Sequence, residues 1–266
     1  MKPMPKTAFQ LHRRLAQCVF ALALVQTVAC TSTTSKTDTT KTPQSQAPAN
    51  VVLPGKAAFT AAPFHTWQHY RLPGKEATEF SFSQLNGHEV VEASANASAS
   101  MLRLPVRVEA ASLGRIKFSW MVPELIAQAD MALRQSDDSP VRIVLAFEGD
   151  RSRFSMKNAM LSELSLVITG EPLPYATLMY VWCNTRPAGS VIINPRTDRI
   201  RKLVVQSGAK DLSHWLDYER NVRADFEQAF GEPPGALVGI GIMTDSDNTQ
   251  TKTHAWYGPL NLTAEK

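Results

Sequence analysis

The densest group of hard oxygen donors in the chain is Asp245-Ser246-Asp247-Asn248-Thr249. Carboxylate and amide oxygens close together suit a cation such as Ca²⁺, which takes roughly 6–8 oxygens. Asp245, Asp247 and Asn248 are therefore candidate metal ligands, and a structural calcium is the one cofactor the residues suggest. The loop glycine and distal glutamate of an EF-hand are absent. The competing role is an Asx-rich turn whose side chains bond their own backbone. A second group is Asp137-Asp138 ahead of Arg142. A planar guanidinium can hold a carboxylate through two parallel hydrogen bonds. These three residues could receive a ligand on a concave face. They could equally form an ion pair fixing a loop to a sheet, since an arginine among apolar strand residues must be paired. Tyr180 and Trp182, with Trp120 and Trp215, could stack against sugar rings. The same alternation also describes core aromatics.

Other chemistry finds little support. His65 and His69 are four apart, but the segment lacks the glutamate of a metalloprotease helix. There is no Gly-x-Ser-x-Gly elbow, and Gly239 and Gly241 complete neither a dinucleotide fingerprint nor a P-loop. Cys183 lies in an apolar run, where a buried thiol is inert. A hydrolase or lyase built on Asp137, Asp138, Asp245 or Asp247 stays open. It needs two carboxylates about 5–10 Å apart across a cleft.

The elements that position these residues are short and extended. Ile116, Phe118, Trp120 and Val122 alternate with Lys117, Ser119 and Met121. Val141, Ile143, Leu145 and Phe147 alternate with Arg142, Val144 and Ala146. Leu178, Tyr180 and Trp182 oppose Met179, Val181 and Cys183. Further runs at 88–93, 101–108, 163–169, 199–206 and 236–243 complete a period-two pattern. Strands apolar on both faces belong inside a packed sandwich. Helices are expected at 123–133, with Pro123 near the start, and at 223–230, ended by Gly231. The pattern predicts an all-β fold: an antiparallel β-sandwich of jelly-roll type with one or two short helices.

Of the 266 residues, 44% are apolar and 20% charged, a globular composition. Residues 1–30 carry Lys2, Lys6, Arg13 and Arg14 and no acid, so the formal +4 charge belongs to this leader. A nucleic-acid partner is not expected, since such a partner calls for basic charge on the folded domain. The 15 residues from Leu15 to Ala29 are mostly apolar, short for a membrane span, and read as a secretory signal. Its end, Thr27-Val28-Ala29-Cys30, resembles a bacterial lipobox, with Thr27 where leucine is usual. Lipidation at Cys30 would anchor the chain to a membrane. Thr31 rather than aspartate after that cysteine implies, by the same resemblance, the outer membrane; ordinary cleavage would leave the protein periplasmic. Residues 31–50 hold seven threonines and no large apolar residue, and read as a disordered tether. Residues 51–266 read as one sandwich domain.

Several stretches resemble the domain-of-unknown-function family 3047, a set of bacterial exported proteins. They are Phe118-Ser119-Trp120-Met121-Val122, Asp137-Asp138 before the Arg142 strand, Tyr180-Val181-Trp182 and Val204-Val205-Gln206-Ser207-Gly208. They continue with Trp215, Arg220-Asn221-Val222, Asp225, Phe230-Gly231-Glu232-Pro233-Pro234, Ile242 through Thr249, and Tyr257-Gly258. The resemblance spans roughly residues 55–262 and implies no established activity. Its order of elements is similar to galactose-binding-like jelly rolls and carbohydrate-binding modules. Where the family tends to read Tyr-Gly-Asp-Ile, this chain has Tyr257-Gly258-Pro259-Leu260 and lacks the carboxylate. The resulting expectation is a non-catalytic, envelope-anchored binding module for a glycan or envelope polysaccharide. The alternative is an envelope assembly protein that binds another protein.

Overall fold

The computed structural model describes residues 51–52, 59–60, 63–85 and 88–264. The leader, Cys30 and the 31–50 tether lie outside the described residues. In chain order the elements are β1 (Val51–Val52), β2 (Phe59–Thr60), β3 (Gln68–Arg71), β4 (Glu79–Leu85), β5 (His88–Asn96), β6 (Ala99–Val108), β7 (Leu113–Met121) and β8 (Ser139–Phe147). Then come α1 (Met156–Thr169), β9 (Ala176–Cys183), β10 (Val191–Ile193), β11 (Ile200–Ser207), β12 (Trp215–Asn221), α2 (Val222–Phe230), β13 (Leu237–Asp245), β14 (Lys252–Tyr257) and β15 (Asn261–Ala264).

The strands form two sheets, and the fold is a β-sandwich. The eight-stranded sheet runs β1-β6-β13-β8-β9-β11-β10, with β3 also on β6. The seven-stranded sheet runs β2-β15-β7-β14-β5-β4, with β12 also on β7. Most pairs are antiparallel, but β11 runs parallel to β9 and β1 parallel to β6. The expected antiparallel sandwich is thus present, with these two parallel pairs added to it. Residues 184–199, which include β10, give the chain length enough to return and enter β11 in the direction of β9.

Alternation decides which side chains meet. Val141, Ile143, Leu145 and Phe147 of β8 and Leu178, Tyr180 and Trp182 of β9 join Ile116, Phe118 and Trp120 of β7 in one buried cluster. The Phe118 and Tyr180 rings stack across the sheets at 5.5 Å. The other face of the eight-stranded sheet is a second apolar layer of Val144, Met179, Val181, Val204 and Met243, covered by Met131 and Ala132.

That covering segment was expected to be a helix at 123–133. It folds instead as turns. Carbonyls along it are claimed from outside: Asn184 Nδ2 donates to Ile126 O and Ala129 O, and Lys202 Nζ donates to Met131 O. The expected strand at 163–169 is the second half of α1. Ser155 caps the start of that helix by accepting from Asn158 N, and Gly170 ends it at φ 76°. Helix α2 forms as expected. Asn221 Oδ1 accepts from Ala224 N at 3.0 Å, and Gly231 at φ 68° stops the helix. Replacing Asn221 by alanine should cost about 1 kcal/mol in equilibrium denaturation. An unchanged midpoint would mean the cap contributes nothing.

Candidate functional site

Two groups of residues merit a functional reading, and they lie on the outer faces of different sheets. The first is the charged group anticipated around Arg142. Arg142 projects from β8 on the face opposite the main core, is 3% exposed, and reaches Asp245 at the end of β13. Its Nε donates to Asp245 Oδ1 at 2.8 Å and its Nη2 to Oδ2 at 2.9 Å. Nη2 also donates to the Asp137 carbonyl at 2.9 Å. Lys202 of β11, fully buried, donates to Asp137 Oδ1 at 2.6 Å. Asp138 accepts from Asn248 Nδ2 at 2.8 Å and from the backbone N and Oγ1 of Thr249, each at 2.6 Å. Asp247 is paired with Lys75.

Burial sets the ionisation of this group. For Arg142 burial alone would lower the pKa, but Asp245 and Asp137 outweigh it and hold the guanidinium charged. Burial pushes the Asp245 carboxyl up, against the pull of Arg142. Burial, reinforced by Arg142, brings Lys202 down to about 8.

Asp138, Asp245 and Asp247 bring carboxylate oxygens within 4.8 Å of one another, so the acidic loop does converge. Each acid already has a donor, however, and Lys75 supplies a cation on Asp247. Asn248, expected as a ligand, turns its amide N–H toward Asp138 and the Asp137 carbonyl. The arrangement ties the loop before β8 and the turn after β13 to the sheet. Tyr180 and Trp182, expected beside Arg142 as a stacking platform, are on the other side of the sheet. They are 0% and 1% exposed. Tyr180 Oη donates to Asp225 Oδ2, and Trp182 Nε1 donates to the Gly208 carbonyl, both at 2.9 Å. Two residues buried among core side chains cannot stack on a ligand.

The second group was not anticipated as a set. On the seven-stranded sheet, Ser81, Glu92, Trp256, Met121 and Trp215 lie in one register row across β4, β5, β14, β7 and β12. The inward residues of β14 are Thr253, Ala255 and Tyr257, all buried, so His254 and Trp256 point outward and are partly exposed. The His254 and Trp256 rings meet edge-on at 4.9 Å. Trp215, on an edge strand, lies beside Gly258: a Cβ there would sit 3.3 Å from the indole and 2.1 Å from Ser119 Oγ. With strands about 4.8 Å apart, the backbones at Trp215 and Trp256 stand two strands, roughly 10 Å, from each other. The signal for this row was present in the sequence. Lys252-Thr253-His254-Ala255-Trp256-Tyr257 alternates, but it ends in two adjacent aromatics and does not declare its inner face.

A family model described as "Protein of unknown function (DUF3047)" matches residues 65–261. No curated protein sequence matches the chain. Among solved structures, it is similar to a low-affinity xylan-binding module, CBM86, from the gut symbiont Roseburia intestinalis. That chain is 11% identical with a TM-score of 0.31, covering 79% of this chain and 96% of the module. It is also similar to the xyloglucanase domain of NopAA from Sinorhizobium fredii, at 9% identity and a TM-score of 0.37, covering 79% and 98%. A family 11 xylanase from Neocallimastix patriciarum is 10% identical with a TM-score of 0.28, covering 71% and 84%.

Proposed function

Because the chain belongs to DUF3047, a family of unknown function, its role must be read from its own surface, and we propose that it binds glycan chains on the outer face of the seven-stranded sheet. The observation that carries this reading is the row Ser81–Glu92–Trp256–Met121–Trp215. An indole offers a flat apolar face to the C–H side of a sugar ring and loses little freedom doing so. Two indoles carried by strands about 10 Å apart offer more than one stacking surface and suit a run of linked rings better than a single monosaccharide. On the far side of Trp256, the Glu92 carboxylate can accept from sugar hydroxyls, and Ser81 and Ser94 can donate and accept.

The Arg142 group supports a non-catalytic role. Asp137, Asp138, Asp245 and Asp247 are all buried and each is held by a donor from the protein. They leave no free acid–base pair for hydrolysis. Export and anchoring through Cys30 remain part of the proposal, resting on the leader and the tether.

The test is affinity electrophoresis in gels cast with soluble xylan or soluble β-linked glucans. The wild-type chain should be retarded. Trp256→Ala with Trp215→Ala should weaken retardation at least about tenfold, in line with loss of large aromatic contacts. Both side chains are partly exposed, so the variant should melt near the wild type. No retardation by any polysaccharide, or equal retardation of the folded double variant, would overturn the reading.

A further inference from the structure

We infer that the chain self-associates through α1, which lays its apolar face against a second copy. The helix is turned inside out. Asn158, Ser162, Ser165 and Thr169 form one stripe, and Met156, Met160, Leu164 and Val167 form the opposite one. Asn158 and Ser162 are the helix's buried residues. Asn158 accepts from Thr197 Oγ1 at 2.7 Å and donates to Asp198 Oδ1 at 2.6 Å. Just beyond the helix, Glu171 pairs with Arg103 of β6. These contacts seat α1 over the outer side of the eight-stranded sheet, where Asn158, Thr177 and Ile200 line a cavity of about 20 Å³. No α1 side chain belongs to either apolar cluster among the described residues.

Met156, Met160, Leu164 and Val167 point the other way, with Leu166 and Ile168 on the two flanks. Met156 is 82% exposed, Val167 81%, Met160 67%, Ile168 56%, Leu164 54% and Leu166 41%. A helix normally buries such a stripe against its own domain. Here the polar anchors and both caps hold it in place before any partner arrives. Six side chains at these exposures present on the order of 600 Å², at the top of the range for a patch on a monomer. Two copies together then cover about 1,200 Å², the lower bound for a specific pair.

Charge favours a second copy over a lipid surface. Within the apolar arc stand one base, Lys157, and one acid, Glu163, both exposed. The patch is neutral and meets itself without net repulsion. Against an anionic bilayer Glu163 would be pressed toward like charge. Met156 and Met160 also suit a helix-to-helix contact, because their flexible thioethers fill irregular gaps. This inference does not depend on glycan binding, since α1 and the tryptophan row belong to opposite outer faces.

Sedimentation equilibrium of the full chain tests it, with a Met160→Glu/Val167→Lys variant alongside. The wild type should show a concentration-dependent dimer, and the variant should raise the dissociation constant at least about tenfold. The substituted side chains are exposed, so an unchanged melting curve confirms folding. A wild type that stays monomeric up to about 100 μM would overturn the inference. Self-association unaltered in the folded variant would do the same. So would a monomeric wild type that co-sediments with phosphatidylglycerol vesicles through Met160 and Val167.

Discussion

Arg142→Leu is expected to lower the unfolding free energy by about 3–5 kcal/mol, the usual cost of removing one partner from a buried ionic group. The guanidinium makes both hydrogen bonds to Asp245 and ties down the Asp137 carbonyl. Without it Asp245 stays buried with only Ser139 N, at 3.1 Å, to donate to it. The loss should also depend on pH. Burial already raises the Asp245 pKa, and removing Arg142 raises it further. A carboxyl whose folded value lies above its unfolded value contributes stability that is full at low pH and is lost as pH rises through the folded value. The variant's deficit should therefore be smaller at about pH 4 than at about pH 8. Urea denaturation at both pH values measures this. A deficit under about 1 kcal/mol, as for a surface ion pair, would show that the group is not the clamp described above.

Trp182→Ala should cost about 3–5 kcal/mol, as for other large core aromatics cut to alanine. Its ring is 1% exposed, and its N–H satisfies the Gly208 carbonyl, which the substitution leaves without that donor. Polysaccharide retardation of the fraction that remains folded should not change. That pairing of results separates the core tryptophan from Trp256 and Trp215, whose replacement should do the reverse. Selective loss of retardation with full stability would mean that the ring contacts ligand after all.

How much of this could be read in advance follows from the range of each interaction. The strands of the sandwich were legible because their information is local. Residues 141–147 announce an inner face of Val141, Ile143, Leu145 and Phe147, and that face is buried. The ends of α2 were legible for the same reason, through Gly231. The run Leu164–Ile168 misled because its branched side chains suit a strand, while the caps at Ser155 and Gly170 and the stripe of small polar residues decide for a helix. Segment 123–133 misled because Asn184 and Lys202, far along the chain, claim its carbonyls. Arg142 was read as needing a partner, and its partner lies 103 residues away. The tryptophan row needed the pairing of five strands before it existed at all.

The turns of 122–138, pinned by Lys202 and laid over one broad side of the sandwich, carry a consequence of another kind. With that side roofed, the proposed glycan row on the opposite face is the wall that would hold a polymer strand. On that proposal a lone molecule would only decorate a fibre. Bridging two fibres into a mesh would require two molecules held back to back.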